Sequence, residues 1–211
     1  MKKMLFAACL LLVVPLAIAM PVEELIEIQH DWAVANYITP EDDQEEVFEK
    51  LVARARDLVK RYPGEAAPKV WLAITLSTDA GVNGGLGALG KVKEARKLLE
   101  AAENIEPEVL NGSVYTSLGS LYYQVPGWPI AFGNDEKAEM YLKKALRLNP
   151  RGIDPNYFYA DYLLENDQPR KALEYLDKAM AAPARPDRPL ADKGRREEVR
   201  HAMARARKML N

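Results

Sequence analysis

The sequence predicts an all-α fold: a superhelix of stacked helical hairpins, finished by a C-terminal capping helix. Three observations predict it. Apolar residues recur three and four apart over most of the 211 residues, and no stretch alternates in the manner of a half-buried strand. Proline and glycine punctuate that pattern at hairpin-sized intervals, at Pro63-Gly64, Pro107, Pro150 and Pro183. One spacing of small and large residues also returns three times: Ala95, Leu99, Ala102; Ala138, Leu142, Ala145; and Ala172, Leu176, Ala179.

The elements follow in order. Lys2 and Lys3 precede an apolar run that ends in Ala17-Ile18-Ala19, the pattern of a signal peptide over 1–19 cleaved at a small-x-small site. The run is short for a bilayer span and contains Pro15. Cys9, the sole cysteine, sits too early in it for a lipid attachment site, so a cleaved chain has no thiol and no disulfide. Export to the periplasm or the exterior is the expectation. Residues 20–65 read as a divergent helical hairpin. Leu25, Ile28, Trp32, Ala35 and Ile38 share one face of its first helix, and Val47, Leu51, Ala55, Leu58 and Val59 one face of its second. Thr39 is the expected cap of the second helix, with Pro40 at its first position. Residues 66–183 divide into three repeats, 66–107, 112–150 and 153–183. The last 28 residues, 184–211, form a proline-rich connector and a helix with Leu190, Val199, Met203, Ala206 and Leu210 available to pack. A single helix after the last hairpin covers its open apolar side.

The physical need behind the recurring spacing is plain. Small residues let two helices of a hairpin approach closely, a large residue one turn on fills the gap, and proline stops the helix. With Tyr115, Leu118, Gly119 and Tyr122 on the preceding helix, the third hairpin resembles the tetratricopeptide repeat. The second hairpin keeps Leu72, Ala73 and Leu76 of that half, and the fourth keeps Tyr159, Ala160 and Leu163. The resemblance implies a right-handed α-α superhelix and binding through its concave face. Where the fourth hairpin has 12 residues from Ala160 to Ala172, the third has 19 from Gly119 to Ala138 and the second 22 from Ala73 to Ala95. Two neighbouring hairpins thus carry insertions at one place, expected to emerge as loops from one edge of the stack. Five glycines in GVNGGLGALG argue against continuous helix there.

The candidate site residues follow from the resemblance and the insertions. The usual groove positions fall on Thr116, Ser120, Tyr123 and Gln124 of the third hairpin and on Asp154, Tyr157, Asp161 and Glu165 of the fourth. Such a polar, tyrosine-bearing, acidic-ended groove suits an extended peptide or basic segment of a protein partner. Trp128 and Phe132 lie on the stiff insertion QVPGWPIAFGND, either as an aromatic lip over the groove or as a plug in the hairpin opening. The Arg- and Lys-rich last helix fits an acidic partner, peripheral contact with anionic lipid, or simply the helix dipole, and Arg195 and Arg196 are placed to pair with the acidic groove residues.

Other function classes find little here. A net charge of −2 disfavours nucleic acid. The glycine-rich stretch lacks the order of a phosphate loop, His30 and His201 stand apart with no metal-ligand spacing, and no serine sits in a nucleophile motif. No catalysis, cofactor or metal is expected. The insertions also look similar to those of helical-repeat accessory proteins of TRAP-type transporters, the T-component family, which implies a small ligand as the alternative to a protein partner. The two readings differ in their interiors. A ligand carrier calls for an enclosed, mostly apolar tunnel lined by Trp128, Phe132 and Tyr157, and a scaffold calls for an open polar groove.

Overall fold

The computed structural model describes residues 20–211, apart from the side chain of Leu86; the expected signal segment and Cys9 lie outside them. Nine α-helices make up the described chain: α1 Val22–Tyr37, α2 Glu41–Arg61, α3 Ala66–Asn83, α4 Gly85–Ile105, α5 Val109–Gln124, α6 Asp135–Leu148, α7 Ile153–Glu165, α8 Pro169–Met180 and α9 Pro189–Met209. They pair as four antiparallel hairpins that stack in order, followed by α9 on α8. The described residues form an all-α stack of helical hairpins. Among the described residues no helix is long and apolar enough to cross a membrane.

The recurring triplets form the spine of the core. All nine of their residues, from Ala95 to Ala179, are fully buried. Gly119 shows why a small residue is required on the facing helix. A Cβ there would stand 2.6 Å from Leu142 Cγ and 3.1 Å from its backbone nitrogen. The divergent first hairpin packs in the same manner through Leu51, Ala55 and Leu58, joined by Phe48, which the sequence pattern left out.

Several expectations are corrected. Thr39 does not cap α2: its hydroxyl donates back to the Val34 carbonyl at 3.2 Å, and Pro40 occupies the cap position. Ile38 is exposed beyond the end of α1. The glycine-rich stretch is helix on both sides of a break at Gly84 and Gly85, whose φ angles are +53° and +69°. Gly81, Gly87 and Gly90 stand in open space, so they cost helix propensity but no packing. The second hairpin therefore absorbs its insertion as two longer helices, tied by an ion pair of 2.8 Å between Lys91 and Asp79. Only the third hairpin carries a true loop at this place, and no pair of loops emerges together. That loop is braced by backbone bonds from Gly133 to Pro126 (2.9 Å) and from Asn134 to Tyr122 (2.8 Å), and Asn134 caps α6 by accepting from the Lys137 amide.

The capping helix does more than cover the last hairpin. Besides α8 and α7, α9 packs against α1, so the first and last helices of the stack meet. Gly194 permits the approach: a Cβ at that position would lie 2.4–2.5 Å from three ring atoms of Tyr37. The buried face of α9 also differs from the apolar one expected. Ala191, Asp192, Arg195, Val199, Ala202 and Ala206 are buried, whereas Leu210 is exposed.

Candidate binding cavity

The first helices of the hairpins, α1, α3, α5 and α7, line the inside of the stack, and α9 with the connector before it closes one side. Between them lies a half-enclosed cavity of about 840 Å³. One part of the lining is the polar stripe of α5: Ser113, Ser117, Ser120 and Gln124, spaced three and four apart on one helix face, with Thr116 beside Ser117. Trp32 and Trp71 from α1 and α3 line the same cavity, with Tyr157 and Phe158 from α7. The two tryptophans meet edge to face at 6.0 Å, and Trp32 Nε1 donates to Thr78 at 2.9 Å, which fixes its ring.

The entry to α5 shapes the rim. Leu110, Asn111 and Gly112 form a left-handed turn, with φ of 51°, 55° and 80°, before the regular helix begins. The conformation costs a non-glycine residue roughly 1–2 kcal/mol. It is held by the Ser113 hydroxyl, which donates to the Leu110 carbonyl at 2.8 Å. Leu110 and Asn111 both contribute to the cavity lining.

An ionic network fastens the closing side. Asp154 on α7 accepts from Arg185 at 2.7 Å and from Arg195 at 2.9 Å. Burial pushes its carboxyl up, but the two arginines outweigh that and hold it well below the usual carboxylate range. Arg195 also pairs with Glu198, and its guanidinium lies over the rings of Tyr157 (4.6 Å) and Phe158 (4.7 Å). Burial raises the Tyr157 hydroxyl to about 12 against the opposing pull of Arg195. The expected pairing of Arg195 with an acidic groove residue is thus found, whereas Arg196 turns to Asp192 and the Ala182 carbonyl.

The candidate residues separate into three groups. Thr116, Ser120, Gln124, Asp154 and Tyr157 come together on the cavity. Tyr123, Asp161 and Glu165 do not line it. The Tyr123 hydroxyl donates to Asp161 at 2.7 Å, and Arg205 of α9 reaches Asp161 (3.8 Å) and Glu165 (2.8 Å), so these groups anchor the closing helix. Trp128 and Phe132 form no lip on the cavity. Trp128 is 89% exposed at the loop tip, which also overturns the plug reading. Phe132 packs edge-on against Tyr122 at 5.7 Å, with Arg96 4.4 Å above its ring. The sequence reading missed Trp32 and Trp71 as cavity residues, because their helical spacing marks them equally as core, and Arg188 because connectors carry no period.

No family model matches the chain, and no curated protein does. Among solved structures it is similar to that of the Pseudomonas aeruginosa pilF protein, with 19% identity over 89% of this chain and 91% of that one, at a TM-score of 0.35. The fold described above rests on the helices and their packing instead.

Proposed function

We propose that the chain is an exported helical-repeat scaffold that takes an extended segment of a protein partner into its concave cavity. One observation carries this reading: the hydroxyl and amide stripe of α5 and the aromatic rings of α1, α3 and α7 line one half-enclosed space. The hydroxyls supply donors and acceptors for a peptide backbone, and the rings supply apolar area for its side chains. The volume lies within the roughly 300–1,000 Å³ range of small-molecule sites, which favours a short segment over a folded surface. The same volume supports the small-ligand reading, the one a T-component-like protein would have. That reading calls for an enclosed, mostly apolar tunnel lined by Trp128, Phe132 and Tyr157; Tyr157 lines the cavity, but Trp128 and Phe132 do not. The exposed Trp128 and Ile130 supply a second contact for the partner outside the cavity. Export belongs to the proposal through the pattern of residues 1–19.

The test is selection of short peptides against the full chain by display, followed by titration against the plugged variant Ser120→Trp. Peptides that bind the parent and lose about tenfold or more in affinity for a folded Ser120→Trp variant support the proposal. Peptides whose affinity is unchanged by the plug overturn it.

A further inference from the structure

The edge of the stack at which α5, α7 and α9 end gathers exposed apolar and cationic side chains. Tyr123 and Gln124 close α5, and Glu165 closes α7. The Tyr123 hydroxyl donates to Asp161 of α7 at 2.7 Å, and Arg205, near the end of α9, reaches Glu165 at 2.8 Å. The loop that leaves α5 and the end of α9 therefore project from one edge. From Val125 to Gly133 that loop carries no charge, and at its tip Trp128 is 89% and Ile130 62% exposed. The end of α9 adds the exposed Met209 and Leu210, next to the exposed Arg207 and Lys208. The loop holds its tip out. Its neck closes where the Gly133 amide donates to the Pro126 carbonyl, so tightly that a Cβ on Gly133 would meet the Val125 carbonyl oxygen at 1.9 Å. Within the neck the Ile130 and Ala131 amides both donate to the Gly127 carbonyl at 3.1 Å, and Phe132 stays behind against Tyr122. A tip braced in this way loses little freedom on docking.

A projecting tryptophan with aliphatic neighbours and flanking cations matches the interface of a bilayer. Indole and aliphatic groups enter the headgroup boundary, and lysine and arginine meet lipid phosphates. The charge of this end agrees: residues 184–211 carry nine lysines and arginines against four carboxylates, in a chain of net charge −2. Asp135 and Glu136 follow the loop in the first turn of α6, where the helix dipole favours them. The tip thus enters by its apolar groups, and attraction to anionic lipid comes from α9. The end of α3 is unlike it, because Val82 there shares an open recess with Glu41, Asp42 and Glu45, which an anionic surface repels. We infer that the protein docks on membranes through the 125–133 loop and the end of α9, with Trp128 and Ile130 entering an anionic bilayer interface. The inference goes beyond segment binding in the cavity and places the partner at a membrane: the contact that Trp128 and Ile130 make outside the cavity is with the lipid around it.

The test titrates the full chain with vesicles of phosphatidylcholine, alone or mixed with phosphatidylglycerol, and with vesicles of the same lipids brominated on their acyl chains. Bromine quenches an indole that enters the lipid, and Trp32 and Trp71 are buried, so quenching reports on Trp128. Saturable quenching is expected, at lower lipid concentration when phosphatidylglycerol is present. Ile130→Ser keeps the indole and should weaken binding about threefold or more, and Trp128→Ala, followed by co-sedimentation, about fivefold or more. Arg207→Gln and Lys208→Gln should each remove about fivefold of the preference for phosphatidylglycerol. Absence of quenching in the parent overturns the inference and leaves the edge to a protein surface. Undiminished sedimentation of Trp128→Ala also overturns it, since another part of the chain then adsorbs. Equal affinity for the two vesicle types overturns the part given to Arg207 and Lys208. Peptide binding is decided by Ser120→Trp, which alters the cavity and should leave sedimentation with vesicles unchanged, so the two readings fail separately.

Discussion

Replacing Gly194 by alanine tests the contact between the two ends of the stack. In the body of a helix such as α9 the exchange alone should stabilise, because glycine is about 1 kcal/mol worse than alanine at an interior position. The contact opposes that gain. The new methyl would sit 2.4 Å from Tyr37 Cγ and 2.5 Å from both Cδ atoms, well inside van der Waals distance. These atoms adjoin the ring's root and cannot swing clear as the tip of a long chain would. The ring is also held edge-on against Trp32 at 5.7 Å. Overpacking of this kind costs about 1–3 kcal/mol, so Gly194→Ala should range from neutral to about 2 kcal/mol less stable. Gly90 supplies the control, being helical and exposed with nothing within 4 Å of its virtual Cβ. Gly90→Ala should gain up to about 1 kcal/mol. Urea unfolding followed by circular dichroism would then separate the two midpoints by about 0.3–1.5 molar, at slopes of about 2–3 kcal/mol per molar. If Gly194→Ala gains as much stability as Gly90→Ala, α9 does not lie on Tyr37 and the closed stack is wrong.

Two further predictions read the closing network and the loop. Arg195 and Arg185 overcome burial and hold the folded Asp154 carboxyl below its unfolded value of about 3.9, so its stabilisation is present above that pH and lost as pH falls. Burial instead raises Asp161, despite the Tyr123 hydrogen bond, so its penalty on folding is present at neutral pH and relieved as pH falls. The stability advantage of the parent over Asp154→Asn should therefore shrink between pH 7 and 3 while that over Asp161→Asn grows; equal slopes in urea titrations at several pH values would refute the assignment. Trp128→Ala should leave stability within about 0.5 kcal/mol, since the ring is 89% exposed, and a loss above 1 kcal/mol would show that the loop packs through it.

What the sequence reveals is what short-range geometry dictates. Ala138, Leu142 and Ala145 announce a helix face because one turn of helix fixes their spacing, and Pro150 announces its end for the same reason. The paired candidates Tyr157 and Asp154 reach the cavity because they share one face of α7. By contrast, the meeting of Tyr37 with Gly194 depends on curvature accumulated over four hairpins, which no local pattern encodes. Gly194 interrupts a run of strong helix formers, but Gly81, Gly87 and Gly90 stand in open space within helices, so a helical glycine alone does not announce a close approach. The glycine-rich stretch misleads for a related reason. Glycine in an exposed helix costs only a modest propensity term, and the ion pair of Lys91 with Asp79 and the packing of the long helices outweigh it. Trp128 was misplaced because composition shows that a loop is stiff without showing where it points.

The contact of α9 with α1 also bears on how many repeats this chain can have. An open solenoid tolerates gain or loss of a unit, since each unit touches only its neighbours and the ends unravel first. Here the count is fixed by closure: one more hairpin would carry α9 past Tyr37, and one fewer would leave it short. The terminal helices, ordinarily the first to fray, hold each other, so opening at either end requires breaking a contact made by both. Growth by duplication, the common route by which repeat proteins lengthen, would cost this one its interior.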